Sequence, residues 1–107
     1  MIRGDIHAIS LPRRGGHLQH GRRFAVIVQA DDLMTLSTVV ACPTSQSTPP
    51  ASFHPEVDVG GEPTRVMCEM VGAVGARALG ERVGHLDHDE VRRVDEALAL
   101  VLDLGGG

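Results

Sequence analysis

The chain has 107 residues, a net charge of −4 and 42% apolar residues. That length fits one domain, 1–107, with a modest core, and the apolar content argues against disorder. No apolar run reaches the roughly 18 residues of a membrane-spanning helix, and the N-terminus lacks the apolar stretch of a secretion signal, so a cytoplasmic protein with no membrane association is expected.

The chain order begins with residues 3–11, which read as a strand with imperfect alternation. Residues 12–22 combine Gly, Pro, His and Arg and read as a loop with nothing to bury. Residues 24–29, a nearly continuous apolar run, suit a central strand covered on both faces. Residues 31–36 can form a helical turn capped by Asp31 or Asp32. The β-branched run 37–42 is a third strand, with Pro43 expected to end it or mark its edge. Residues 44–55 read as a loop, Glu56–Val59 as a short strand, and the alternating segment 65–71 as another that 72–74 continue. Residues 81–86 are a last extended piece.

The C-terminus carries the clearest pattern. Asp87 and Glu90 form a capping-box pair, and Val91, Val94, Leu98, Val101 and Leu102 make one apolar stripe at helical spacing. The glycines 105–107 are expected to end that helix. Short strands followed by one packed helix suggest a small α+β or barrel-like domain.

The basic residues are all Arg, and they are unevenly placed. Residues 1–30 carry Arg3, Arg13, Arg14, Arg22 and Arg23 against the single acid Asp5, whereas the rest of the chain is strongly acidic. Arg13, Arg14, Arg22 and Arg23 lie beside His17 and His20, the local footprint of a polyanion site despite the acidic total. His17 and His20 sit three residues apart with no third ligand clustered near them, so no metal site is expected. His7 reads as a strand-surface residue able to stack on a base, His85 and His88 as surface or cap residues, and His54 carries no signal. Cys42 and Cys68 are too few for a disulfide framework, match no zinc-ligand spacing and read as core packing. No nucleophile elbow or Walker loop is present.

Taken in order, these residues resemble the MazF/PemK family of toxin endoribonucleases. Arg3-Gly4-Asp5-Ile6 is similar to the family's opening strand. Leu11-Pro12 and Gly15-Gly16 lead into a long loop, and Arg23 stands before an apolar strand. Ala41-Cys42-Pro43-Thr44-Ser45 resembles the family's third-strand end, Met67–Val71 with Glu69 its later Glu-Gln strand, and Val83-Gly84-His85-Leu86 with the following helix its close. Departures occur at His7, Phe24, Met70, Gly72 and the loop position of His17 or Leu18. They fall near the expected RNA groove and bear on substrate sequence rather than on fold.

The resemblance implies an SH3-like barrel of short antiparallel strands, CcdB/PemK-like and mainly β, with a C-terminal amphipathic helix. It implies a homodimer, a cognate antitoxin and cofactor-free, metal-independent cleavage of single-stranded RNA, whether mRNA, tRNA or rRNA. It places Arg23 and Thr44 in the catalytic site. Arg23 would stabilise the phosphorane and is a candidate proton donor; Thr44 would hold a proton or a non-bridging oxygen. Arg13, Arg14, His17, His20, Arg22, Ser45 and Glu69 are the candidate RNA-binding residues. Two other readings stay open: a CcdB-like gyrase-binding toxin acting through residues around Leu102-Asp103-Leu104, and a non-catalytic RNA- or antitoxin-binding module.

Overall fold

The computed structural model describes residues 1–9, 23–35 and 37–105. Within them, seven strands form one curled antiparallel sheet, backed by a single helix. The strands are β1 (Asp5–Ile9), β2 (Phe24–Ile27), β3 (Thr38–Ser45), β4 (Glu56–Val59), β5 (Glu62–Val66), β6 (Gly72–Gly75) and β7 (Leu79–His85); the helix is α1 (His88–Leu102). Neighbours run β4-β5-β3-β2-β1-β7, and β6 joins the edge of β3 beside β5. The architecture is the expected mainly-β curled sheet, a half-barrel closed by a C-terminal helix.

Strand β2 explains why the sheet has two cores. Val26 faces one side with Ile6, Cys42, Val66, Cys68 and the Val94, Ala97 and Leu98 face of α1. Ala25 and Ile27 face the other with Val39 and Ala41. A strand buried on both faces needs a near-continuous apolar run, which is what Phe24–Ile27 supplies.

Pro43 does not end β3. The strand continues to Ser45, with Ala25 opposite Pro43 on the β2 side. On its other edge β6 pairs with Thr38–Ala41, and β5 pairs with Thr44 and Ser45. Pro43 sits in the gap between these partners. Its carbonyl accepts from Met67 N at 2.9 Å, and the N–H it lacks would point to that same edge, where no ladder bond is required. Crossing that gap also breaks the expected strand 65–71. β5 stops at Val66, Cys68–Met70 turn as a 3-10 helix, and pairing resumes at Gly72.

The β4–β5 hairpin turns on Gly60 and Gly61, with φ of +63° and +90°. Two consecutive positive φ values match the right-handed twist of the flanking strands and are adopted most readily by glycine. The helical turn after β2 is shorter than expected, a 3-10 turn at Asp31–Leu33.

Helix α1 starts as predicted. Asp87 accepts from Glu90 N at 2.8 Å, and the Glu90 carboxylate accepts from Asp87 N at 2.9 Å. Glu90 is buried, and its second oxygen accepts from Asp58 N at 2.8 Å, so the cap also fastens the helix to β4. The helix ends earlier than the glycines at 105–107. Asp103 takes the left-handed conformation, and Leu104 N closes onto the Ala99 carbonyl. No helix among the described residues is long and apolar enough to cross a membrane.

The first strand is held at its base by Asp5, a buried carboxylate that accepts from Ile2 N at 2.9 Å and His85 Nδ1 at 2.8 Å, with Arg82 3.6 Å away. Burial pushes this carboxyl up, but the Ile2 N–H, the His85 ring and the Arg82 charge outweigh it and hold it below its ordinary value. The depressed pKa contributes stability above the unfolded carboxyl pKa of about 3.9, and that contribution is lost as pH falls through the lower folded value. Asp5→Asn should therefore cost ~1–3 kcal/mol at neutral pH. In urea unfolding followed across pH, the gap to the unsubstituted chain should narrow below about pH 4.

Candidate nucleic-acid interface

Arg23 leads directly into β2, and Ile9 N donates to its carbonyl at 3.1 Å. Continuing the β2–β3 register places Arg23 level with Ser45 and Phe24 level with Thr44. Nη1 of Arg23 reaches the Thr44 carbonyl in a long, 3.5 Å hydrogen bond. The sheet thus joins the two residues implicated in chemistry, which are 21 positions apart in sequence.

Among the described residues, Arg3, Arg65, Arg82, Arg92 and Arg93 each face a carboxylate; exposed Arg77 and Arg23 face none, and of these two it is Arg23 that is anchored, on a carbonyl. A guanidinium anchored by one nitrogen and facing no described carboxylate keeps donors for a phosphate. Thr44 is almost fully buried. Ser45 is half-buried, and its hydroxyl bonds locally to Ser47 Oγ and accepts from Ser47 N, each at 3.2 Å.

Beside this pair lies a groove of about 450 Å³. Phe24, Val59 and Val83 give it apolar walls, and Gln46, Glu62 and Thr64 give it polar ones. Arg23 does not line it; Phe24 carries the chain from Arg23 into its wall.

Glu69 stands on a different element, the 3-10 turn after β5, two residues beyond the Met67 bond to Pro43. Its carboxylate accepts from His54 Nε2 at 2.8 Å, while His54 Nδ1 bonds the Pro49 carbonyl at 2.8 Å. Both partners are acceptors, so the buried ring must donate from both nitrogens and be protonated. Burial pulls its pKa down, but Glu69 and the Pro49 carbonyl outweigh that and raise it above 6.5. Sequence reasoning missed His54, since a histidine in a Pro-rich loop shows nothing until the fold brings residue 69 to it. His7 also departs from expectation. It is buried rather than on the strand surface, its Nδ1 donates to Gly80 O at 2.9 Å, and Nε2 has no partner among the described residues.

Arg13, Arg14, His17, His20 and Arg22 lie outside the described residues. Cys42 and Cys68 are fully buried, as expected of core thiols, and the neighbouring sulfur together with burial pushes the Cys42 thiol far up. Among the described residues, no three His, Cys, Asp or Glu side chains are grouped to hold a metal.

A family model described as the PemK-like, MazF-like toxin of type II toxin–antitoxin systems matches residues 2–102. The candidate toxin Rv3098A of Mycobacterium tuberculosis is 36% identical over 106 residues, covering 97% of this chain and 99% of that protein. Among solved structures, a mycobacterial endoribonuclease in complex with its cognate antitoxin superposes with a TM-score of 0.80 at 18% identity, covering 97% of this chain and 96% of the other. MazF of Deinococcus radiodurans superposes with a TM-score of 0.78 at 19% identity, covering 96% of each chain. At that identity the superpositions speak for the fold.

The His54–Glu69 pair makes a direct prediction. The His54 ring should titrate above 6.5 in an NMR pH series, and Glu69→Gln should bring it to or below that value, because burial then acts with less opposition. The pair's contribution to stability is present below pH 6.5 and fades as pH rises through the folded value.

Proposed function

Because the chain belongs to the PemK-like, MazF-like family of type II toxin–antitoxin toxins, we propose that it is a toxin that cuts single-stranded RNA at defined sequences without a metal ion. The observation that carries this reading is Arg23, held against the Thr44 carbonyl and facing no carboxylate among the described residues. The family match over nearly the whole chain and the fold it shares with an endoribonuclease support it.

In the proposed reaction the ribose 2′-oxygen attacks the adjacent phosphorus and the bond to the 5′-oxygen breaks. The products are a 2′,3′-cyclic phosphate and a free 5′-hydroxyl. A proton leaves the 2′-hydroxyl and another reaches the departing oxygen. Arg23 meets the charge that builds on the non-bridging oxygens, where a fixed guanidinium acts most strongly. Thr44 holds Arg23 through its carbonyl, and the hydroxyl role assigned to it requires its buried side chain to open toward the phosphate. The cationic segment with Arg13, Arg14, His17, His20 and Arg22 supplies the field that draws the strand in, with Ser45 and Glu69 as further contacts. The protein acts in the cytoplasm as a single-domain homodimer, and its antitoxin competes for the cationic face with an acidic segment. The substrate is mRNA, tRNA or rRNA.

Leu102 and Leu104 are exposed, which also suits a toxin that docks gyrase through its C-terminal end. Cleavage assays separate the readings. Arg23→Ala should lower the cleavage rate ~10²–10³-fold while leaving the thermal midpoint unchanged, and EDTA should leave the rate of the unsubstituted protein intact. Full cleavage by a folded Arg23→Ala protein would overturn the reading, and inhibited supercoiling without RNA cleavage would favour gyrase docking. Neutralising Arg13 and Arg14 should weaken RNA binding and reduce the slope of log affinity against log salt by about 0.7 per lost phosphate contact.

A further inference from the structure

We propose that the groove beside Arg23 is a base-reading pocket that receives one unpaired guanine next to the scissile phosphate. The inference rests on the endoribonuclease reading and deepens it.

Three features define the occupant. First, position: Phe24 follows Arg23 directly, with its side chain on the other face of the strand, and Gln46 lies two residues beyond Thr44, so the groove opens one residue along the chain from the proposed phosphate site. Second, shape: the half-buried Phe24 ring, with Val59 and Val83, gives apolar walls to a space of about 450 Å³. Unpaired RNA bases splay out and stack on such rings. Phe24 and Phe53 are the only aromatics in the chain, apart from histidine, and Phe24 is the one at this site.

Third, polarity. Gln46 Nε2 donates to Glu62 Oε2 at 3.2 Å. That bond uses one of the two amide N–H groups and holds the Glu62 carboxylate at the rim, beside the remaining Gln46 N–H, the Gln46 carbonyl and the Thr64 hydroxyl. The reverse amide orientation would set two oxygens against each other. The Glu62 carboxylate, the one charged group lining the groove among the described residues, repels phosphate, so the pocket takes a base and leaves the backbone to Arg23. It also ranks the bases. Guanine presents adjacent N1–H and N2–H donors, which a carboxylate can accept together. Adenine and cytosine offer one amino group. Uracil offers one N–H between two carbonyls that would face the carboxylate. The order of preference is guanine first and uracil last.

The test is a cleavage map of a randomised single-stranded RNA pool, with ends read by sequencing. The unsubstituted protein should show guanine enriched at one fixed position flanking the cut. Glu62→Gln, an exposed change that leaves the core alone, should lower the guanine-to-uracil ratio there roughly 5- to 100-fold. Phe24→Ala should slow cleavage of guanine substrates. A map without guanine enrichment next to the cut, or a Glu62→Gln map identical to the unsubstituted one, overturns the proposal.

A second arm separates this inference from the reading beneath it. Oligonucleotides carrying one guanine or one uracil among adenines are titrated into Arg23→Ala protein, with and without Glu62→Gln. A guanine preference that depends on Glu62 supports the pocket even if no cleavage is found, and equal affinities overturn it even if cleavage is robust.

Discussion

Strand β3 needs more than one partner along one edge, and the rest of the molecule is arranged around that requirement. β2 covers one side of it, while β6 and β5 share the other. Backbone groups left unpaired in a buried sheet are costly, so each segment must meet its share of the edge. Pro43 marks the division because it brings no N–H to the side where the partners change. The same division sends the chain through the Cys68–Met70 turn, sets Glu69 against His54, and leaves Thr44 at the strand end that Arg23 reaches.

Local pattern carried much of this into the sequence. The two-faced burial of β2 follows from an unbroken apolar run, and α1 follows from the Asp87–Glu90 box with its stripe. What stayed hidden depends on partners distant in sequence. Proline usually ends a strand, and only the gap between β6 and β5 makes position 43 tolerable. The alternation of residues 65–71 is real, yet the chain cannot stay extended there and still pass from one pairing to the next. Of the site, Arg23 and Thr44 are legible only through a family resemblance, since an arginine flanking a strand has no local signature. His54 had none either.

The acidic total of the chain hides a division of labour. Most described arginines face carboxylates, two of them on α1, where Arg92 bridges Asp89 and Glu96 and Arg93 meets Asp89. Such exposed pairs add little stability, but they quench the local field. The field that remains is set by cations facing no described acid, and Arg23 is one of them. Glu62 brings a negative charge to the groove that Phe24 lines.

Arg23 is fastened to a carbonyl, and a carbonyl belongs to the backbone rather than to threonine. The anchor of the guanidinium is therefore indifferent to sequence drift at position 44, although the hydroxyl is not. What it does depend on is alignment. One residue inserted in β2 or β3 would turn alternate side chains to the opposite face and carry Arg23 away from its oxygen. The address of the cation is written in strand registration, so indels erase it more readily than substitutions do.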